Sequence, residues 1–200
     1  MIKKEDSLEY HSGKRPGKIE IKSSKPCITP QEMRMAYMPG AIFPAIEIRN
    51  DPANVYKYTN KSNLVAVISN GSAVPGLGDA GAFAAKPMQE GIAVLLKRLA
   101  DIDVFDLEID SGSPEEITKT IQSIAPSFGA INLKDIKAPD GLEIYDSLKD
   151  NLSIPIFHEN LYSTAVGVTA ALINALEIVN KKPSGIKIVL SGAGTVAAGI

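Results

Sequence analysis

The sequence predicts an α/β fold with a mostly parallel sheet, followed by the start of a second unit. Three observations carry that reading. Short aliphatic and β-branched runs recur at residues 64–69, 103–109, 130–133 and 154–157, each too short for a helix. Longer stretches with helical spacing and capping signals separate them, so strands and helices alternate. Lastly, a β-branched run at 186–190 enters Ser191-Gly192-Ala193-Gly194-Thr195-Val196-Ala197. A strand running into Gly-x-Gly-x-x-Ala is how a Rossmann dinucleotide-binding unit opens. In that reading Gly192 makes the tight turn, Gly194 lets the backbone approach a pyrophosphate, and Ala197 lets a helix lie close to the strand. A plain tight βα turn satisfies the same pattern. On the first reading residues 1–164 form one domain and 165–200 begin a truncated nucleotide-binding domain. The residue that would choose NAD or NADP then lies beyond Ile200.

Each element follows from local signals. A short helix is expected over residues 5–11, then an extended arm with 18–22 as a possible strand. Thr29-Pro30-Gln31-Glu32 reads as a helix start, with Thr29 as cap, Pro30 at the first position and Glu32 closing a capping box. That helix ends before Pro39-Gly40. Another spans 43–50, and Asp51-Pro52 starts the next. After the 64–69 strand, Asn70-Gly71 turns the chain. Residues 88–100 form a helix whose Met88, Ile92, Leu95, Leu96 and Leu99 have core spacing. Ser113-Pro114-Glu115-Glu116 caps a helix over 115–124. Further helices are expected at 142–149 and 165–179.

Composition narrows the function classes. The chain has 200 residues, 44% hydrophobic and 22% charged, enough to bury a core. With 21 basic and 23 acidic residues the net charge is -2, which offers nothing to nucleic acid or an anionic membrane. Cys27 is the single cysteine, so no internal disulfide forms and a reduced cytoplasmic thiol is expected. Met1-Ile2-Lys3-Lys4-Glu5-Asp6 lacks the apolar core of a secretory signal. The apolar stretch near 165–173 falls short of the ~20 residues that span a bilayer.

Ligands of open α/β sheets sit beyond the C-terminal ends of the strands. The groups there are Ser69-Asn70, Asp110, Asn132 to Asp135, and His158 to Asn160. Asp135 can hold a divalent metal or cap the next turn, and the groups around it are otherwise poor in carboxylates, with Glu159 at hand. His158 can be a general base or a packed edge residue. Tyr37 stands at a helix-to-loop boundary.

Several segments together are more specific. Arg15-Pro16-Gly17-Lys18-Ile19-Glu20, Met35-Ala36-Tyr37-Met38-Pro39-Gly40 and Asn63 through Gly71 are joined by Gly76-Leu77-Gly78-Asp79, Phe128-Gly129-Ala130-Ile131-Asn132-Leu133 and Ile154-Pro155-Ile156-Phe157-His158. In this order they resemble the N-terminal portion of bacterial NADP-type malic enzymes. The resemblance implies a malic-enzyme-like domain that helps oxidise and decarboxylate malate to pyruvate and CO2. It implies NADP or NAD, a Mg2+ or Mn2+ ion, a dicarboxylate substrate and a homo-oligomer. It makes Tyr37 the acid. The family's lysine base falls at Ile92, in Glu90-Gly91-Ile92. The family's Glu-Asp metal pair falls at Lys134-Asp135, and its further metal-binding aspartate at Asn160. Of the implied metal carboxylates only Asp135 remains.

Three functions compete. One is ordinary NADP-dependent malate oxidation. Another is a catalytically impaired relative that acts as a binding or regulatory subunit, because isoleucine accepts no proton and Lys134 brings a cation to a dication's place. The last is a changed enzyme in which Lys86, Lys97 or Lys134 supplies a base without metal, with Lys97 discounted because its helix face differs from that of Ile92.

Overall fold

The computed structural model describes residues 3–192 and 194–200. Met1 and Ile2 of the N-terminal reading and Ala193 of the glycine loop lie outside the described residues. Four helices precede the sheet: α1 (Lys4–Ser12), α2 (Pro30–Ala36), α3 (Ile42–Asn50) and α4 (Val55–Tyr58). The capping box at α2 forms in full, Thr29 accepting from the Glu32 N–H and the Glu32 carboxylate accepting from the Thr29 N–H. Residues 18–22 take no strand pairing. Lys18 instead gives its N–H to Glu90 at 3.0 Å, which pins the arm to the helix that follows β1.

The sheet has β1 (Leu64–Ser69), β2 (Asp103–Glu108), β3 (Ala130–Leu133) and β4 (Ile156–His158). All pairings are parallel, in the order β2-β1-β3-β4. Helices make the crossovers: α5 (Gly81–Ala100) from β1 to β2, α6 (Pro114–Ile124) to β3, and α7 (Asp140–Leu148) to β4. The chain leaves β1 toward one edge and returns through β3 toward the other. The topological switch point therefore lies between the C-terminal ends of β1 and β3, where such sheets bind ligands.

One sheet face carries the main core. Leu64, Ala66 and Ile68 of β1 and Ile131 and Leu133 of β3 pack with Ile117 and Ile121 of α6 and Ile144 and Leu148 of α7. Burying each of these large side chains contributes about 1.5–3 kcal/mol. The α6 cap is only half the expected box. Ser113 accepts from the Glu116 N–H, while the Glu116 carboxylate takes the Ser111 hydroxyl at 2.6 Å.

Helix α5 departs further from expectation. It starts at Gly81 rather than Met88 and runs through Pro87. Its buried residues are Ala82, Ala85, Gln89 and Ala93, not the larger apolar stripe. Small side chains let this helix lie close on β1 and β2, and the longer ones turn outward. Leu99 is 81% exposed and Phe83 93%.

Three boundaries move for identifiable reasons. β4 begins at Ile156 because Pro155 has no N–H to donate, though its carbonyl accepts from Ile131. Helix α8 (Glu159–Ile178) follows β4 directly, so residues 159–164 are helix and the expected boundary at 164/165 falls inside it. Residues 186–190 make no strand among the described residues, and Ile188, Val189 and Leu190 are exposed, because an extended segment needs a partner for its peptide groups. Helix α8 has 20 residues and is mostly exposed, and it is long and apolar enough to cross a membrane by length and composition. The shorter 165–173 stretch missed this because the helix starts earlier.

Gly129 shows how closely elements approach. A Cβ there would lie 2.4 Å from the Lys61 carbonyl oxygen. Gly129→Ala is expected to destabilise the chain by about 1–3 kcal/mol through this overlap with backbone. Urea unfolding reads the cost, and an unchanged midpoint would refute it.

Candidate functional site

The period of two along β3 sets the site. Ile131 and Leu133 face the main core, so Asn132 and the following Lys134 face the α5 side. The Lys134 N–H donates to the Ile68 carbonyl at 2.9 Å, which extends the sheet by one residue at the switch point. Asp135 then turns out of line with φ 54°, a left-handed conformation that Asp adopts more readily than most residues. Its side chain is 0% exposed.

A single polar network forms around these residues. Lys134 Nζ donates to Glu159 Oε1 at 2.8 Å and lies 3.7 Å from Asp135 Oδ1. Asn132 Nδ2 donates to Glu159 Oε2 at 3.3 Å. From α5, Gln89 Nε2 donates to Asp135 Oδ2 at 2.9 Å. The network thus ties β3 to α5 and α8. Removing one partner of a buried ion pair costs about 3–5 kcal/mol, because the other charge is left uncompensated.

The site residues expected from the sequence fall into separate places. Asp135 and Lys134 are in the network, and Asn160 stands beside Glu159 in the first turn of α8. Ile92 lies three residues beyond Gln89 on α5, one turn away, and is half-buried. Tyr37 caps the C-terminal end of α2 and is 75% exposed, so the structure does not bring it into the buried network. Gly192 has φ 122°, as a tight glycine turn requires, and Gly194 is the N-cap of α9 (Thr195–Gly199). Ala197 is half-buried, but the close approach is at Gly199, where a Cβ would meet the Leu161 carbonyl of α8 at 2.1 Å. The small residue here serves a helix–helix contact rather than a helix–strand one.

Sequence reasoning placed Asn132 and Glu159 among the strand-end groups but gave Asn132 no role and undervalued Glu159, and it missed Gln89. The available signals were a glutamine one turn before Ile92 and a polar residue inside a buried strand.

The other titratable candidates are accounted for by packing. His158 is fully buried, with burial pushing its pKa down, and Tyr145 stands edge-on to its ring at 6.2 Å. A Cβ on Gly141 would be 2.9 Å from its Nε2. This is a packed histidine, neutral at pH 7, and it takes no part in the network. Lys86 is held by Asp106 at 2.7 Å and Glu108 at 3.2 Å. Burial pulls the Lys86 pKa down, but its two carboxylates outweigh this and raise it, so it stays a cation rather than a base. Lys97 is likewise raised, by hydrogen bonds to Asp101 and Asp103.

The residues present do not fit a Mg2+ or Mn2+ ion. No group of three or more His, Cys, Asp or Glu side chains gathers among the described residues. Asp135 and Glu159 already accept from amide and ammonium donors. A +1 ammonium at ~4 Å from a dication is repelled by roughly 2 kcal/mol even in bulk water.

A four-stranded parallel sheet crossed by helices, with polar groups gathered at its switch point, defines an α/β protein. Residues 16–149 match the family described as Malic enzyme, N-terminal domain. The NADP-dependent malic enzyme of Escherichia coli is 46% identical over 194 residues, 97% of this chain and 26% of the relative. An NAD-dependent malic enzyme of Rhizobium meliloti is 44% identical over 193 residues, 96% of this chain and 25% of the relative. The crystal structure of malic enzyme from Pyrococcus horikoshii superposes with a TM-score of 0.94 at 42% identity, covering 98% of this chain and 46% of that one. The chain belongs to the malic enzyme family, and it spans about a quarter of the length of these curated relatives.

Glu108 provides a pH test of the β2 edge. Burial raises its pKa above the ordinary 4.5, with the Asp106 charge adding and Lys86 opposing. From pH 4.5 up to that raised value the folded state keeps a proton that the unfolded state has released, so this group's contribution to stability falls as pH rises. Glu108→Gln is expected to gain stability relative to the native chain as pH rises from 4.5 through this window. Urea melts over pH 4–7 in which the difference stays constant would contradict it.

Proposed function

We propose that this chain is the substrate-side part of a malic-enzyme-family protein whose own chemistry is impaired, so that it serves as a binding or regulatory subunit for a dicarboxylate. The family reaction is the NAD(P)-dependent oxidative decarboxylation of malate to pyruvate and CO2. The observation that carries the reading is Ile92, an aliphatic residue at the family's base position and one turn from the polar network. Taking hydride from C2 of malate requires a base for the hydroxyl proton, and isoleucine accepts none. The nearby lysines do not replace it. Lys86 is held as a cation by two carboxylates, and Lys134 is bound to Glu159. Tyr37 is retained at the acid position.

The remaining parts of the reading are consistent with this. Gly192, Gly194 and Ala197 would open the NAD- or NADP-binding loop of a domain beginning near residue 165. Relatives named for either nucleotide match the chain equally well, so the choice between them is left open. The exposed apolar surface of α8 and of residues 188–190 suits cover by that domain or by a second copy in a homo-oligomer. The lone Cys27 and the net charge of -2 support a cytoplasmic protein without nucleic-acid partners. Ordinary malate oxidation is the second reading, favoured by the identity of 46% to an NADP-dependent enzyme across nearly the whole chain.

An assay of NADPH and NADH formation with malate and manganese separates the two. It needs the protein in which this chain is joined to a complete nucleotide-binding domain. No formation above background is expected, and turnover near the ~10 per second typical of enzymes would establish the second reading instead.

The combined variant Ile92→Lys, Lys134→Glu and Asn160→Asp should regain measurable turnover in the same assay, with each single variant inactive. Groups acting on one transition state are strongly non-additive. An inactive but folded triple variant would mean that the segment Leu161-Tyr162-Ser163 has refitted the pocket for another ligand.

A further inference from the structure

The surroundings of Lys134 are those of a bound cation. Its side chain is 9% exposed, and Glu159 and Asp135 flank its ammonium at 2.8 and 3.7 Å. Both oxygens of Glu159 are engaged, one by Lys134 and one by the Asn132 amide. One oxygen of Asp135 takes the Gln89 amide, leaving Oδ1 as the carboxylate oxygen without a hydrogen bond. We infer that the Lys134 ammonium is the resident cation of this site, standing in the divalent metal's place and holding β3, α5 and α8 together, so that the chain is indifferent to magnesium and manganese.

Three physical arguments support it. Without the ammonium, two largely buried carboxylates would lie near one another with amide donors alone to balance them. A hard divalent ion needs several oxygen ligands, and here the amides of Gln89 and Asn132 turn N–H groups toward the carboxylates that would supply them. A tethered ammonium also needs no free ion in solution, so the network's contribution to stability carries no dependence on metal concentration. The inference shares its site with the proposed function but not its outcome. Malate turnover without manganese uptake would end the proposed function and leave this inference standing. Manganese uptake without turnover would do the reverse.

The test uses the full chain with manganese as the probe, followed by the electron paramagnetic resonance of free Mn2+ and by thermal melting with and without chelator. The native chain is expected to leave the free-Mn2+ signal unchanged and to melt at one temperature in both conditions. Lys134→Met should lower the melting temperature by on the order of 10 °C. Lys134→Arg, which keeps the cation, should recover most of that loss. Lys134→Glu with Asn160→Asp should take up Mn2+ saturably and melt higher in its presence. Should that pair fail to fold without metal, Lys134→Gln with Asn160→Asp, which adds one carboxylate rather than two, is measured in its place with the same expectation. Saturable Mn2+ binding by the native chain overturns the inference. So does a Lys134→Met chain that melts like the native one, or a folded charge-restored variant that ignores Mn2+.

Discussion

A lysine ammonium withdrawn from water is costly unless a carboxylate comes with it. Lys134 meets that condition through Glu159 at 2.8 Å, and much of the site follows from this one ion pair. Glu159 reaches β3 from the first turn of α8, which begins directly after β4. Asn132 completes the Glu159 carboxylate, and Asp135 turns inward to take the amide of Gln89. Because Gln89 sits on α5, the ion pair indirectly fixes which face of that helix is buried.

The packing of α5 follows the same constraint. The face of α5 that carries Gln89 to the strand ends is otherwise built mainly from small residues rather than from a stripe of leucines. Ala82, Ala85 and Ala93 make the contact instead. Leu95, Leu99, Met88 and Phe83 turn outward, leaving an apolar surface that the sheet does not cover, while Leu96 is half-buried. With the bare face of α8, this is more apolar exposure than scattered surface residues produce.

The site also separates scaffold from chemistry. The parallel sheet is that of the malic enzyme family. Of the positions where the sequence departs from the family pattern, Lys134 lies in the charged network, Asn160 follows Glu159, and Ile92 is one turn from Gln89. Glutamate to lysine at 134 and aspartate to asparagine at 160, judged against the family pattern, remove negative charge together, and the ammonium supplies a positive one. Both differences act on the local charge in the same direction.

The sequence by itself determined the alternation of strands and helices, the four strand positions, the cap at Thr29 and the residue types at the altered positions, because these depend on local propensity and on identity. The family was legible for the same reason, since its motifs are runs of adjacent residues. Other features required the tertiary structure. Whether 186–190 pairs depends on a neighbouring strand. Which face of α5 is buried depends on the sheet beneath it. Whether Lys134 stands alone or is tied into a network depends on Glu159, which is 25 residues away in sequence and 2.8 Å away in space. Charge, burial and pairing arise between segments, and only the folded chain brings those segments together.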